Sequence, residues 1–356
     1  METVDYTVAI PHRNEGAELA KTVENIQETQ ENCVHIITRE DKENLGTAAT
    51  RHAAVQEAAT EIVITCDAHM RFRPGALDEL AAFIAADRTR VACLTCHSNP
   101  DLSFDENPLY GADLFEMGDE YALEPKWRKV KAPGEIACLM GACYGFARSF
   151  YESLGSPWKL GRGWGCDETL LSIPARLAGG SVHVLAAECA HLLRRPDEVM
   201  YRQTDAELEA IWYTRFALLE YLRPDNLDQL RRLMQSKCGR SFRMRAEVMH
   251  AADQLSRVKK LTFPEYRARW LVTDFRVEAP ARELRQAVRI AARSGLPSVQ
   301  EFGIRCPHCK QISDRHRVTT TYPNGNRRRV CAFCGMPFIT RFGMDSTGSQ
   351  PTLKQG

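Results

Sequence analysis

Three observations predict an α/β chain: a doubly wound, mostly parallel sheet, then a helical region and a small ribbon at the carboxyl end. Short apolar runs alternate with amphipathic segments up to about residue 96, the apolar period turns helical after Arg195, and two Cys-x-x-Cys pairs close the chain. Strands alternating with helices of about 10 to 13 residues imply right-handed crossovers, and these build parallel sheets. The first strand is Tyr6 to Pro11, followed by a helix from Glu18 to Thr29 and a strand from Val34 to Thr38. An alanine-rich helix from Thr47 to Ala59 leads into the strand Glu61 to Cys66. That strand is too short and too β-branched to be a helix, and it is apolar enough to be buried on both faces. A helix from Gly75 to Ala86 precedes the strand Val91 to Cys96.

From Asn99 to Pro133 the pattern breaks into polar and aromatic segments, which predicts an irregular, substrate-facing stretch. A helix ending at Arg176 to Ala178 meets Gly179-Gly180, a suitable cap, and the last core strand runs from Val182 to Ala190. This places His191 on the loop just beyond that strand. Helices are then predicted over Ala206 to Leu222, Leu227 to Gln235, Arg243 to Leu261, Pro264 to Trp270 and Pro280 to Ser294. The resulting division is 1–200 for the α/β domain, 201–298 for a basic helical region, 299–342 for the ribbon and 343–356 for a flexible tail.

No run of eighteen apolar residues occurs, and Met1 to Asp5 lacks the basic-then-apolar order of a secretory signal, so a soluble, cytoplasmic protein without a membrane partner is expected. The net charge of +1 conceals a division: residues 213–296 carry 18 Lys/Arg against 9 Asp/Glu, and residues 301–341 carry 8 against 2. The carboxyl-terminal part is a polycation suited to a polyanion, although solvated helix faces account for such a balance equally well. Thirteen cysteines, an odd number, argue against a disulfide framework. Cys33, Cys66, Cys93, Cys138, Cys143 and Cys189 lie in or beside apolar runs and read as small buried hydrophobes.

The chemistry concentrates at strand ends. Asp67-Ala68-His69 follows the run Ile62 to Cys66, and His191 follows the last core strand. An Asp-x-His alone also fits a turn, but a carboxylate and two imidazoles arriving at carboxyl ends of strands suit one divalent cation. Oxygen and nitrogen ligands with open positions point to Mn²⁺, or Mg²⁺, in the site. Such an ion stabilises developing negative charge as a Lewis acid. Gly141 and Ala142 are small enough to let a ligand approach the backbone, and equally suit tight packing. Trp164 offers an apolar ring face to a ligand, and Asp167 and Glu168 offer carboxylates to take a proton.

Four stretches, in one order, resemble the nucleotide-sugar glycosyltransferases of the GT-A fold, within which the first 195 or so residues are most similar to the polypeptide N-acetylgalactosaminyltransferases. They are Thr7 to Gly16 with its Asn14-Glu15 pair, Gly46 to Ala54, the Asp67-Ala68-His69 motif, and the long stretch Met140 to Arg148, Trp164 to Glu168, Gly179-Gly180 and Ala190 to Arg194. The resemblance implies a GT-A domain and a UDP-sugar donor held by Pro11, Arg13, Asn14, Glu15, Arg51, Asp67, Gly141 and Ala142. It implies a metal triad of Asp67, His69 and His191, with Asp167, Glu168 and Trp164 as catalytic residues. The sequence departs from the family at Thr47, Arg71, Pro174 and Glu168, the last replacing an amide by a carboxylate. Retention, which the Asp-x-His resemblance implies, and inversion, which a base at Glu168 permits, both stay open.

Cys306, Cys309, Cys331 and Cys334 form two knuckles 21 residues apart, with a Pro323-Asn324-Gly325-Asn326 turn between them. Four thiolates predict a structural Zn²⁺ that folds a segment too small to hold itself by apolar burial. Arg327, Arg328 and Arg329 in its loop, with Arg240 and Arg243 upstream, are the predicted nucleic-acid contacts. The expected function is a metal-dependent hexosyltransferase moving a sugar from a UDP-sugar to a hydroxymethylated base in DNA. The alternatives are transfer to protein Ser/Thr or a cell-surface glycan, and a nucleic-acid-binding protein whose core has lost activity.

Overall fold

The computed structural model describes residues 3–105, 108–118, 120–127, 133–194 and 204–272, with the backbone of five short strands between 304 and 340. Two compact units divide the chain, Met1–Thr273 and Asp274–Gly356.

The first unit opens with β1 (Tyr6–His12), α1 (Ala17–Thr29), β2 (Cys33–Glu40), α2 (Thr47–Glu57), β3 (Ile62–Cys66), β4 (Met70–Phe72), α3 (Ala76–Ala85) and β5 (Arg90–Asn99). There follow β6 (Ala112–Met117), β7 (Ala122–Trp127), β8 (Gly134–Glu135), β9 (Cys143–Ala147), α4 (Arg148–Ser153), a 3-10 turn at Pro157–Leu160, α5 (Asp167–Leu177) and β10 (Ser181–Leu192). The sheet order is β2-β1-β3-β9-β5-β10-β4. Every residue of β3 and β9 is buried, as expected of strands covered on both faces.

The sheet is mixed, which corrects the mostly parallel expectation. β9 runs antiparallel to both β3 and β5, and β4 runs antiparallel to β10. Among the described residues no helix separates β5 from β9, so no crossover helix brings the chain back to the starting end and it returns in the opposite sense. Gly145 lets α3 lie on this strand, because a Cβ there would sit 2.7 Å from Ile84 Cδ1.

The stretch read as irregular, Asn99 to Pro133, contains β6 and β7, paired antiparallel. β6 alternates in burial, but buried acids masked both strands in the sequence: Glu116 in β6 and Glu124 in β7 take buried positions usually held by apolar residues. Glu116 is matched there by Arg267 at 2.7 Å and Asn226 at 2.8 Å.

After residue 204 come α6 (Asp205–Leu222), α7 (Leu227–Cys238), α8 (Ala246–Val258), α9 (Phe263–Trp270) and β11 (Leu271–Val272), the last parallel to β6. Capping boxes start α6 (Thr204 with Glu207) and α9 (Thr262 with Glu265). These helices fold into the first unit with the sheet. The predicted helix Pro280 to Ser294 lies outside the described residues.

In the second unit, Ile304–Arg305 pairs antiparallel with Ile312–Ser313, and Arg327–Val330 with both Arg317–Thr321 and Pro337–Thr340. Cys306, Cys309, Cys331 and Cys334, the predicted zinc ligands, lie outside the described residues.

Candidate metal and sugar-transfer site

β3 ends at Cys66, and Asp67 follows with its backbone N–H donating to the Ala142 carbonyl at 2.8 Å. The chain then turns back into β4. Thr22 of α1 fixes that turn: its hydroxyl donates to the carbonyls of Ala68 and Met70 and accepts from the Met70 N–H. β4 pairs with the end of β10 so that His191 stands opposite Met70, and the Leu192 N–H donates to the His69 carbonyl at 3.1 Å. His191 therefore sits inside β10, not on a loop beyond it, because β4 extends the pairing past the point where the apolar run ends.

The three predicted ligands come together. His69 and His191 face each other through their Nε2 atoms at 3.2 Å, and His191 Nε2 lies 3.4 Å from Asp67 Oδ2. One donor atom from each of the three lies within 4.8 Å of the others. The other face of each imidazole is engaged, His69 Nδ1 with Glu15 Oε2 at 3.0 Å and His191 Nδ1 with Ser98 Oγ at 3.4 Å. A His69 proton donated to Glu15 leaves its Nε2 lone pair pointing at His191, the arrangement that histidine ligands take from carboxylate neighbours. Cis ligands on an ion with bonds of about 2.1 Å lie roughly 3 Å apart, so the spacing fits Mn²⁺ or Mg²⁺ held by this triad.

Glu15 is also clamped by Arg194. Burial alone would raise the Glu15 carboxyl, but the contacts with His69 and Arg194 outweigh it and hold it below its usual range. Asp67 behaves likewise. Its burial is opposed by the His191 contact and by the charges of Arg51 and both histidines, leaving it well below the ordinary carboxylate range.

Arg51, on α2, joins the triad to the acidic pair. Only 2% exposed, it reaches Asp67 Oδ1 at 2.8 Å with one terminal nitrogen and Asp167 with the other, while its guanidinium lies 5.1 Å from the Tyr144 ring centroid. Glycine contact sets this bridge: a Cβ on Gly46 would meet the Gly163 carbonyl at 1.9 Å, so the start of α2 rests on the loop that leads into α5. One cation faces three carboxylates here. Burial pushes the Asp167 carboxyl up to about 7, against the pull of Arg51 and with reinforcement from Glu168 and Asp67. Glu168 is raised too, first by burial. A divalent cation at the triad would relieve this excess of negative charge.

Glu168 projects from the first turn of α5 toward Gly141, where a Cβ would stand 2.5 Å from its Oε1 and 3.7 Å from Trp127 Cζ2. The glycine thus makes room for the carboxylate. Next to it Ala142 holds φ 91°, a conformation that favours glycine, and its carbonyl is the acceptor that fixes Asp67.

The remaining predicted residues are more dispersed. Pro11 is buried in β1 and Asn14 takes φ 57° in the turn after it. Arg13 donates to Asn44 and to Glu207 at 3.0 Å, and Trp164 is 59% exposed on the loop before α5. Arg240 forms a surface pair with Glu209 at 3.2 Å, and Arg243 lies on the loop before α8. For Arg327, Arg328 and Arg329 only the backbone of their strand is described. Sequence reasoning missed Ser98 and Trp127. Ser98 had no signal, since its role comes from the β5–β10 register that sets it opposite His191. Trp127 had one, an aromatic in a polar segment flanking the motif residues.

Residues 19–155 match the model for glycosyl transferase family 2. No curated protein matches the chain. Among solved structures, GalNAc-T7 with UDP, GalNAc and Mn²⁺ aligns at 15% identity and a TM-score of 0.60 over 83% of this chain and 59% of that one. The mannosyltransferase PcManGT from Pyrobaculum calidifontis, with GDP-Man and Mn²⁺, aligns at 15% identity and a TM-score of 0.40 over 82% and 81%. TarS of S. aureus, with UDP-GlcNAc, aligns at 10% and 0.38 over 65% and 71%. This chain thus spans about three-fifths of the GalNAc-T7 structure, and that likeness shows a shared GT-A-type fold. No helix among the described residues is long and apolar enough to cross a membrane.

Proposed function

We propose that the chain is a metal-dependent glycosyltransferase that moves a sugar from a UDP-sugar to a hydroxyl. The observation that carries this reading is the convergence of Asp67, His69 and His191 within 4.8 Å at adjoining strand ends. Asp67, His69 and His191 would hold Mn²⁺ or Mg²⁺, whose charge would offset that of a diphosphate leaving C1 of the sugar. Glu15 holds His69 in the tautomer that can ligate, and Arg51 holds Asp67 and Asp167 in place. The turn Pro11 to Glu15 receives the nucleotide, with Arg13 and Asn14 on it. Gly141 and Ala142 line the sugar, and Trp164 packs on the acceptor. Glu168, partly buried and raised above the usual carboxylate range, takes the acceptor proton as the acceptor oxygen bonds to C1 and the bond from C1 to diphosphate breaks.

The acceptor we propose is a hydroxymethylated base in DNA. Support comes from the positive balance of residues 213–296 and 301–341, which includes Arg327 to Arg329; the spacing of Cys306, Cys309, Cys331 and Cys334 suits a structural Zn²⁺ in the same stretch. A base would have to leave the duplex to reach Glu168. Incubation of the full chain with Mn²⁺, UDP-sugars and either hydroxymethylated or unmodified DNA tests it. A hexose mass added only to hydroxymethylated DNA is expected. Sugar appearing on protein Ser/Thr, with none on DNA, would move the acceptor to protein.

A further inference from the structure

Arg215 stands apart among the partly buried arginines of α6 to α9. Arg231 is gripped by Glu220 and Asp228, and Arg267 by Glu116 and Asp225. Arg215 has no carboxylate partner among the described residues. Its guanidinium instead lies 3.7 Å from the Tyr121 ring centroid and 4.6 Å from that of Trp212, and its Nε is buried without a hydrogen-bond partner. Two rings hold the plane of the cation and part of its hydration is gone, while half-burial leaves the outer part of the side chain within reach of solvent. A fork fixed in this way offers two parallel N–H donors, the geometry that grips a phosphate.

Its position points at the acceptor side of the site. Thr214, its neighbour, both accepts from the Arg162 N–H and donates to the Arg162 carbonyl, and Ile211, one turn earlier, stands 3.1 Å from where a Cβ on Gly163 would be. This face of α6 is therefore seated against the loop that carries Trp164 and Cys166 into Glu168. Tyr121 leads into β7, whose other end presents Trp127, 49% exposed, beside Gly141 and Glu168. A ring-backed cation on the helix face that seats the loop bearing exposed Trp164 suits a phosphate, with the Trp164 ring free for the attached base.

We propose that Arg215 binds a phosphate on the acceptor and so selects a nucleotide over an uncharged hydroxyl compound. The proposal rests on the transferase reading above and names the chemical class of its acceptor. The probes are 5-hydroxymethyl-deoxycytidine monophosphate and the same nucleoside without phosphate, titrated calorimetrically into the full chain with its donor site filled by Mn²⁺ and UDP. UDP binding, measured first, checks the transferase reading by itself; its absence would sink that reading before Arg215 is addressed. In the unsubstituted chain the phosphate is expected to raise affinity about ten- to hundredfold. Arg215→Gln should erase that ratio and Arg215→Lys restore part of it. Because each ratio is taken within one variant, the nucleoside serves as the fold control. Equal affinity for nucleotide and nucleoside in the unsubstituted chain, or a ratio that survives in Arg215→Gln, would overturn the proposal.

Discussion

The two halves of the site differ in how completely the chain satisfies them. On the metal side, Asp67 is held by Arg51 and His191, Arg51 by two carboxylates, His69 by Glu15 and Glu15 by Arg194. On the proposed acceptor side, Glu168 has no side-chain partner among the described residues, Arg215 has only aromatic faces, and Trp127 and Trp164 stand about half exposed. The first half is organised before any ligand arrives, as charge stabilisation at a breaking bond requires. The second is left for the acceptor to complete, so its specificity resides in groups the fold does not need.

This contrast makes ordered predictions. His191→Ala should lower metal-dependent UDP-sugar turnover by at least about a thousandfold while the thermal midpoint shifts by only a few degrees. Loss of the fold in parallel would show a structural role instead. Asp167→Ala leaves Arg51 buried with one carboxylate and should destabilise the chain by about 3 to 5 kcal/mol in urea unfolding. Trp164→Ala, across the site, should change stability by less than about 0.5 kcal/mol. Equal effects would erase the distinction between the halves.

The pH dependence sharpens it. A base must be deprotonated to work, and Glu168 is raised, so the rate should climb with pH along an acidic limb lying above the ordinary carboxylate range. Glu168→Gln should remove that limb, and a limb that persists would assign the base elsewhere. The smallest effect is expected from Gly141→Ala. Its Cβ would press on the flexible end of Glu168 and stand at ordinary contact distance from Trp127, so kcat should fall about tenfold as the carboxylate moves, with unfolding almost unchanged.

Much of this was legible in the chain. Apolar runs such as Ile62 to Cys66 carried the strand positions, and Asp67, His69 and His191 stood out because each terminates or follows such a run. The direction of β9 was hidden, since Cys143 to Ala147 reads the same whichever way it runs and only the missing crossover helix decides. β6 and β7 were hidden by inward-facing Glu116 and Glu124; the partners of Glu116, Arg267 and Asn226, lie more than a hundred residues away. The clamp of Arg51 on Asp167 was equally invisible, being a contact across 116 positions. Local pattern reports burial and element type, whereas ion pairs between distant segments leave no period to read.

The central claim is that one carboxylate and two imidazoles hold a single cation. Titration of Mn²⁺ into the UDP-saturated full chain, followed by the paramagnetic resonance signal of the free ion, tests it most directly. One ion per chain is predicted, with affinity falling at least about tenfold in both His69→Ala and His191→Ala. Undiminished Mn²⁺ binding in both variants would contradict it.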